Sequence, residues 1–491
     1  MATQTNIDYE VAIIGTGFGG LCVAIGLKRA GIDSFVMLEK GDDVGGTWRD
    51  NQYPGCACDV RSHLYSFSFA PNPSWSRMYS PQPEIWDYLR RVTNKFLLRP
   101  YIRFKTAMTS ARYDESSGTW LIETSTGASI RVRNLVSAMG ALSRPALPEI
   151  PGLVNFSGKV FHSQQWDHSV DLAGKRVAVI GTGASAIQIV PQIAAKVKQL
   201  HLFQRTPPWI IPRMDRVISN FEHKLYRWLP FTQRLYRYCI YWRMEIRVLG
   251  FTFKPDLLKA TEELALKHMH RQISDPTLRA RVTPNYRLGC KRVLVADDYY
   301  PALTRPNVEL ITDGIREITV NGIATTDGTE RKVDALILAT GFHVADKYFD
   351  VPILGTGGVD IAQAWGDSAE AYYGATTSGF PNFFMITGPN TGLGHTSMIY
   401  MIESQVNYIV GAIQHLRRAN LKSLVVRQEV LRRFNDGLQS FLKKAIWGTG
   451  CRSWYLDRNS RNTTLWPGYT FKFRKLTRRF DIADYQVETL R

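Results

Sequence analysis

Three glycines near the start of the chain have the spacing that binds a dinucleotide. Gly15, Gly17 and Gly20 separate an apolar run from a helical pattern in YEVAIIGTGFGGLCVAIGLKRAGIDSFVMLEK. In such a turn the first glycine allows the tight bend, the second admits a pyrophosphate close to the backbone, and the third lets the helix pack against the strand. Glu39 ends the next apolar run, where a carboxylate can accept a hydrogen bond from a ribose hydroxyl.

The same pattern returns in KRVAVIGTGASAIQIVPQIAAKVKQLHLFQRTPPW. Its turn consists of small residues, among them Gly181, Thr182, Gly183, Ser185 and Ala186. The end of the following strand carries Arg205 and Thr206 instead of an acid. A carboxylate there would repel a 2′-phosphate, whereas a guanidinium and a hydroxyl can bind one; the alternative is that Arg205 is an ordinary surface arginine. Two sites of opposite preference predict FAD at the first and NADPH at the second.

The elements that position these turns predict an α/β fold with two Rossmann-like dinucleotide-binding domains. Two further strands, in NLVSAMGALSRP and KVDALILATGF, are typical of the return between nucleotide folds. We therefore expect the NADPH domain to be inserted into the FAD domain. The predicted divisions are 1–150 for the first part of the FAD domain, 151–334 for the NADPH domain with a helical subdomain at about 213–280, and 335–491 for the rest of the FAD domain and a C-terminal substrate and lid region.

Composition limits the other possibilities. The chain has 491 residues and a formal net charge of +18, but the basic residues are dispersed and no nucleic-acid module or metal-ligand spacing appears. The six cysteines are scattered, so we expect reduced thiols in a cytoplasmic protein. No signal peptide or membrane span is expected. Whether the chain is a monomer or a homo-oligomer stays open.

An aromatic and basic stretch occupies residues 221–250, within the predicted NADPH domain. Its apolar side chains have helical spacing, with Pro230 as a break. The first interpretation is the core face of a helical subdomain whose arginine and lysine stems extend outward. The second is weak peripheral contact with a membrane surface, without stable insertion.

FAD and NADPH together permit several reactions. A disulfide reductase would need a redox cysteine pair after the first nucleotide fold, and the nearby Cys56 and Cys58 have the wrong spacing and lie in a turn-prone YPGCACD. This leaves reduction of another acceptor or activation of O2.

Two segments carry a resemblance that favours oxygen activation. GGTWRDNQYPGCACD resembles the first fingerprint of the type I Baeyer–Villiger monooxygenases, with matches at Gly46, Trp48, Tyr53, Pro54, Gly55 and Asp59. FSGKVFHSQQWD resembles the second, with matches at Phe156, Gly158, His162, Trp166 and Asp167. The flavin-containing S- and N-monooxygenases usually lack the final Trp-Asp pair, and they are the alternative. The resemblance covers nearly the whole chain, with a mild departure at Met139.

The resemblance implies a reaction and a set of roles. In this family NADPH reduces FAD, O2 forms a C4a-peroxyflavin, and a ketone becomes an ester or lactone. Arg292, in GCKR, matches the catalytic arginine and Asp59 its carboxylate partner. His162 is interpreted as a hinge residue between the domains. The other residues expected at the cofactors are Gly46, Thr47, Trp48, Tyr65, Lys291 and Trp454.

Overall fold

The structure, a computed structural model, describes residues 7–344, 348–450 and 453–490. A sheet of eight strands is built around the first glycine turn. Its strands are, in spatial order, Ile353–Leu354, Met108–Asp114, Thr119–Thr124, Ser129–Ser137, Tyr9–Ile14, Phe35–Leu38 and Ile102–Arg103, with Phe383–Met385 also paired to Ser129–Ser137. The strands flanking Tyr9–Ile14 run parallel to it. Val11 to Ile14 are buried, as expected for a strand covered on both faces.

A second sheet holds the second glycine turn. Its five parallel strands are, in spatial order, Val308–Ile311, Gln199–Phe203, Arg176–Ile180, Ala335–Leu338 and Lys159–His162. The chain then returns to the first sheet at Ile353–Leu354, so one Rossmann-like fold is inserted into the other, and the predicted fold class is confirmed. The predicted boundary at 334 falls directly before Ala335–Leu338, a strand of the second sheet; the domain boundaries stay predictions.

Helices cover both sheets. Those outside the insert are Phe18–Arg29, Thr47–Asp50, Gln82–Lys95, Ile361–Trp365, Met398–Arg418, Gln428–Lys444 and Thr470–Leu476. Those in the insert are Ala186–Ala194, Asn220–Trp228, Pro230–Glu245, Lys259–Gln272, Pro276–Val282 and Tyr299–Leu303. Shorter helical turns are Arg99–Tyr101, Leu153–Asn155, Ser163–Gln165, Leu249–Phe253, Pro255–Leu258, Thr356–Gly358, Ile446–Gly448 and Ile482–Asp484. The small sheets pair Ile210–Ile211 with Leu294–Val295, Leu421–Val426 with Tyr485–Thr489, and Gly322–Thr325 with both Ile315–Thr319 and Glu330–Lys332.

The helix that follows the first glycine turn packs tightly against the long C-terminal helix Met398–Arg418. A Cβ atom at Gly26 would lie 2.8 Å from Cγ1 of Val406 and 3.1 Å from Cγ2 of Val410. No larger residue therefore fits without displacing that helix. The glycine thus lets Phe18–Arg29 lie close against the C-terminal helix.

The aromatic stretch at 221–250 forms two helices, and local sequence explains where they begin. Ser219 Oγ accepts from the Glu222 amide at 3.3 Å, while the Glu222 carboxylate accepts from the Ser219 amide at 3.0 Å. This reciprocal pair caps the first helix. Pro230 is the first residue of the second helix, where its missing N–H costs nothing.

The second of these helices is held against the first domain by a buried histidine. Gln233 Nε2 donates to Nδ1 of His63 at 3.0 Å, and Arg237 Nη1 donates to the His63 carbonyl at 2.7 Å. Burial is the main cause that lowers the pKa of His63 to about 4, and Arg237 adds to the effect. His63 therefore stays neutral in the folded protein over a pH range in which an exposed histidine is charged.

We expect this histidine to make the fold sensitive to acid. Above about pH 6.5 the group is neutral in both states. As pH falls from there to about 4, the unfolded chain binds the proton first, so the free energy of unfolding decreases, by about 3 kcal/mol. Denaturant titrations at stepped pH should show this loss in the natural protein and a smaller one in His63→Gln. An equal loss in both proteins would contradict the assignment.

The cysteine expectation holds in part. Cys22, Cys56, Cys58 and Cys239 are free. Cys290 is disulfide-bonded, so the expectation of reduced thiols throughout is wrong. Sequence spacing could not reveal this bond because tertiary proximity, rather than distance along the chain, brings cysteines together. Cys451 lies outside the described residues.

None of the helices in the described residues has the length and apolar character required to cross a bilayer. Within the same residues, no group of three or more histidine, cysteine or acidic side chains is arranged to hold a metal ion.

Candidate active site

The first glycine turn has a shape that only glycine allows. Gly15 has φ of +100°, and a Cβ there would lie 2.7 Å from the Ala138 carbonyl oxygen. A Cβ at Gly20 would lie 1.9 Å from the Gly15 carbonyl oxygen. The helix starts at Phe18 with Gly17 as its N-cap, and no side chain caps it by a hydrogen bond, so its first amides are left for a ligand. This arrangement fits the pyrophosphate of a dinucleotide.

Gly46, from the first fingerprint, closes over the same turn. It has φ of +50°, and a Cβ there would lie 3.2 Å from the Gly17 Cα. The short helix Thr47–Asp50 begins directly after it. Thr47 therefore lies beside the glycine turn, where it was predicted to meet the cofactor.

The Glu39 side chain is held as an ionised carboxylate that can accept hydrogen bonds. Its Oε2 accepts from the Thr16 amide at 3.0 Å, and its Oε1 accepts from the Gly41 amide at 2.8 Å and pairs with Arg49 at 2.7 Å. Burial alone would raise the pKa of Glu39, but Arg49 and the hydrogen bonds outweigh it and lower that pKa. The carboxylate form fits a ribose hydroxyl. Sequence reasoning missed Arg49; the signal was a lone arginine inside the fingerprint GGTWRD.

Trp48 and Tyr65 form a pair beside the turn. Trp48 Nε1 donates to the Tyr65 hydroxyl at 3.1 Å, and the Tyr65 ring meets the Phe18 ring edge-on with centroids 5.3 Å apart. Trp48 packs against the hydrophobic cores of both nucleotide folds. Burial raises the pKa of Tyr65, so its hydroxyl keeps its proton.

The first fingerprint also contacts the helix of the second nucleotide fold. The Tyr53 hydroxyl donates to Gln188 Oε1 at 3.0 Å, and Gln188 Nε2 donates to the Ala57 carbonyl at 3.0 Å. A Cβ at Gly55 would lie 2.7 Å from the Gln188 carbonyl oxygen. The fingerprint is therefore a connection between the two folds. Sequence reasoning did not identify Gln188, because no local pattern marks it.

The second glycine turn repeats the geometry of the first. Gly181 has φ of +108°, and a Cβ there would lie 2.5 Å from the Ala339 carbonyl oxygen, whereas nothing lies within 4 Å of a Cβ at Gly183. Thr182 Oγ1 donates to the Thr206 carbonyl at 3.0 Å and fixes the end of the next strand. The helix Ala186–Ala194 follows, with Ser185 as its N-cap.

A pair of cations lies beside this second turn. Arg205 is exposed, and none of the carboxylates in the described residues is within salt-bridge distance of it. Burial first, and then the charge of Arg205, lower the pKa of Lys291. Two cations that repel one another form a site for an anion, and the 2′-phosphate of NADPH fits that chemistry. The structure thus brings together two residues that are far apart in sequence.

Arg292 and Asp59 form an ion pair between the first fold and the insert. Arg292 Nη2 lies 2.5 Å from Asp59 Oδ2, and Nε donates to the same oxygen at 3.0 Å. Arg292 Nη1 reaches the Leu393 carbonyl at 3.4 Å, which is a long contact. The charge of Asp59 is the largest cause that raises the pKa of Arg292, so the guanidinium stays charged. Its third nitrogen, Nη1, can still donate a hydrogen bond.

Tyr455 completes this cluster and was not predicted. It is 1% exposed, burial raises its pKa to about 12, and the charge of the nearby Arg292 opposes that rise. The predicted loop residue Trp454 is 43% exposed, and its ring centroid lies 4.4 Å from that of Tyr455. The sequence offered a signal for Tyr455, because it directly follows the predicted Trp454 in SWYLD.

The second fingerprint lies apart from this cluster, at the edge of the second sheet. The buried His162 accepts from the Gln164 amide at Nδ1 (3.1 Å), so Nε2 carries the proton and donates to the Gly341 carbonyl at 3.1 Å. Burial lowers the pKa of His162. Both ring nitrogens are used by the backbone, and Gly341 directly precedes the return to the first sheet. This agrees with a hinge position rather than a base.

The remaining fingerprint residues have structural contacts. A Cβ at Gly158 would lie 2.5 Å from the Asp334 carbonyl and 2.6 Å from the Phe156 ring. The Trp166 ring meets Phe161 edge-on with centroids 5.0 Å apart. Asp167 accepts from the Ser169 amide at 2.9 Å and closes a turn. They shape the connection between the folds and do not touch Arg292.

Comparison with known proteins gives matches over most of the chain. The family model described as flavin-binding monooxygenase-like matches residues 8–361. A protein of Pseudomonas aeruginosa named Baeyer-Villiger monooxygenase is 52% identical over 482 residues, which cover 98% of this chain and 92% of that protein.

Solved structures also match along the whole chain. A crystal structure of cyclohexanone monooxygenase from Rhodococcus sp. Phi1 bound to NADP+ has a TM-score of 0.88 at 27% identity, with 99% of this chain and 100% of that chain covered. The structure of OTEMO in complex with FAD and NADP has a TM-score of 0.89 at 26% identity, with 98% and 100% covered.

Proposed function

This chain belongs to the flavin-binding monooxygenase-like family, and from that premise we propose that it inserts one oxygen atom of O2 beside a ketone carbonyl to give an ester or lactone. It is an NADPH-dependent flavoprotein monooxygenase of the Baeyer–Villiger kind, with FAD as its flavin. The observation that carries the finer proposal is the Arg292–Asp59 ion pair between the two nucleotide folds. The cytoplasm stays the predicted location, without the cysteine argument, since Cys290 is disulfide-bonded.

FAD and NADPH, when bound, supply the hydride and the activation of O2. The chain supplies charge. Arg292 keeps its proton in a partly desolvated site where a lysine would tend to lose its own. Its guanidinium therefore stabilises negative charge that develops on oxygen as a ketone is attacked.

Asp59 acts on the same step through Arg292. It binds two nitrogens of the guanidinium on one side and leaves Nη1 directed toward the Leu393 carbonyl. A guanidinium held by a carboxylate in this way has a fixed plane. Tyr455, in the C-terminal segment, lies near enough to the guanidinium to influence its charge. Asp59 is therefore the residue that positions Arg292.

The proposal is tested by product analysis with isotopically labelled oxygen. The purified holoenzyme, given NADPH, 18O2 and a panel of linear, cyclic and aryl ketones, should yield an ester or lactone that carries one labelled oxygen. The same panel should include a thioether and a tertiary amine. Sulfoxide or N-oxide without any ester would contradict the proposal and favour an S- or N-monooxygenase.

We expect Arg205→Ala to weaken the use of NADPH. Loss of a charge-assisted contact to the 2′-phosphate should raise the KM for NADPH by about 10- to 100-fold and leave that for NADH unchanged. Lys291→Ala should also raise the KM for NADPH. Steady-state oxidation of each coenzyme provides the measurement. Lys196→Ala, a change of equal charge at the opposite end of the helix Ala186–Ala194, is the matched control. Equal changes for NADPH and NADH would argue against a 2′-phosphate contact.

A further inference from the structure

The helix Pro230–Glu245 has two apolar faces, and one of them is exposed. Its inner face buries Ile240, Tyr241 and Met244. On the outer face Phe231 is 62% exposed, Leu235 59%, Tyr238 58% and Trp242 41%, and Ile246 beyond the helix end is 62% exposed. At roughly 100° per residue, these five positions fall within an arc of about 80°. A helix that faces water normally presents polar residues there.

Neighbouring elements carry further exposed aromatic residues. On the preceding helix, Phe221 and Trp228 are 73% and 80% exposed and share one face, seven positions apart. The Trp242 ring lies 5.8 Å from that of Phe471, in the C-terminal segment, which is itself 36% exposed. We call the whole surface the aromatic ridge, and it consists of Phe221, Trp228, Phe231, Leu235, Tyr238, Trp242, Ile246 and Phe471. Exposed apolar surfaces of this kind mark interaction sites.

Basic residues flank the aromatic ridge. They are exposed and consist of Lys224, Arg227, Arg234, Arg243 and Lys472. No carboxylate of the described residues forms a salt bridge with any of them. The two acids of the same stretch are engaged elsewhere, because Glu222 pairs with Arg216 and Glu245 is fully buried. The rim of the ridge is therefore positively charged.

We propose that the aromatic ridge docks this enzyme on an anionic lipid bilayer. Tryptophan and tyrosine prefer the depth of the lipid headgroups, phenylalanine and leucine enter the acyl boundary, and arginine and lysine bind headgroup phosphates. The composition of the ridge and its rim matches all three. The net charge of +18 adds a long-range attraction to the same surface. The proposal is independent of the ketone chemistry.

Charge argues for a bilayer over a second copy of the chain. Two aromatic ridges brought face to face would also bring two basic rims together, and like charges at an interface oppose association. An anionic bilayer satisfies the apolar stripe and the rim together. Both helices are short and carry polar inner contacts, so the docking is shallow, with the ridge at about 5–10 Å depth in the headgroup and acyl boundary.

Vesicle flotation tests the proposal with the complete holoenzyme. It should float with vesicles that contain about one third phosphatidylglycerol, and at least about tenfold less with pure phosphatidylcholine. The bound fraction should fall in 1 M NaCl, where the Debye length is about 3 Å. Equal flotation with both vesicle types, or none with either, would overturn it.

Substitutions in the ridge locate the contact. Phe231→Asp with Leu235→Asp should reduce flotation at least about tenfold, because both lose apolar burial and gain lipid-repelled charge. The matched control is Val154→Asp with Val487→Asp, which adds the same charge at residues exposed elsewhere, by 94% and 47%. Arg234→Gln with Arg243→Gln should weaken binding about fivefold per charge. All variants should keep their FAD content and NADPH oxidation rate, which shows that they fold. Undiminished flotation of the ridge variant would overturn the proposal.

Cys239 offers a reporter inside the ridge. It is exposed on the helix Pro230–Glu245, whereas Cys22, Cys56 and Cys58 are buried. An environment-sensitive dye on Cys239 should shift its emission to the blue with phosphatidylglycerol vesicles, and Cys239→Ser, treated alike, should not show the shift. Light scattering without vesicles tests the alternative, in which the ridge binds a second copy of the chain. The lipid proposal would be overturned if the natural protein formed a dimer and did not bind vesicles, and if Phe231→Asp with Leu235→Asp dissociated that dimer.

Discussion

Replacement of Arg292 by alanine should lower ester formation by at least about 10²- to 10³-fold, the range found when a donor to a developing oxyanion is removed. The guanidinium lies beside Asp59, which raises its pKa, so the natural side chain is a permanent cation. Alanine removes that cation and leaves the Asp59 carboxylate without its partner. Ester yield per NADPH consumed, quantified by mass, provides the measurement.

Two further variants separate the charge of Arg292 from its shape. Arg292→Lys keeps a cation but not the planar fork that binds Asp59 with two nitrogens, so an intermediate loss is expected. Arg213→Ala is the matched control, since Arg213 Nη2 donates to the Cys58 carbonyl at 3.2 Å, next to Asp59, and does not pair with it. Arg213→Ala should lower ester formation by less than about tenfold. Full ester yield in Arg292→Ala would remove the central element of the proposed mechanism.

The glycine turns could be predicted because their constraint is local. The positive φ of Gly15 and of Gly181, and the contact between Gly20 and the Gly15 carbonyl, are set within a few residues of chain. Burial of the adjoining strand follows from its unbroken apolar run. The presence of two such units, with opposite residues at the ends of their second strands, was enough to predict two nucleotide sites of different preference.

The contacts between the folds could not be derived from local pattern. Asp59 and Arg292 lie in different folds, and only the family resemblance joined them before the structure did. Gln188 and Tyr455 gain their roles from approaches that occur only in the tertiary structure. The environment of His162 likewise depends on Gly341, across the second sheet. Sequence spacing carries no information about such distances.

For the aromatic stretch, sequence reasoning left two interpretations open, a core face or contact with a membrane surface. Helical spacing of apolar residues predicts a buried face, and Ile240, Tyr241 and Met244 supply one. The same spacing continues around Pro230–Glu245 to a second face that is largely exposed, although its Trp242 ring lies 5.8 Å from that of Phe471. Periodicity alone does not show how many faces of a helix are covered.

Gly17→Ala should remove FAD without damaging the fold. A Cβ at this position would meet only the Gly46 Cα, at 3.8 Å, which is an ordinary contact. The apoprotein should therefore keep its melting temperature. The added methyl group would instead occupy the space where the helix amides meet the pyrophosphate. A loss of at least about tenfold in FAD affinity is expected, equivalent to about 1.4 kcal/mol. Flavin absorbance per protein and titration of the apoprotein with FAD measure it.

Gly20→Ala is the informative comparison, because it should lose FAD through damage to the fold and not through a direct clash with the cofactor. A Cβ there would lie 1.9 Å from the Gly15 carbonyl oxygen, inside the protein itself. The strand and helix would have to separate, so this variant should lose both FAD and thermal stability, even as apoprotein. The two glycines thus divide the motif into a position that serves the ligand and a position that serves the fold. A stable, FAD-replete Gly17→Ala protein would show that the pyrophosphate does not approach this turn.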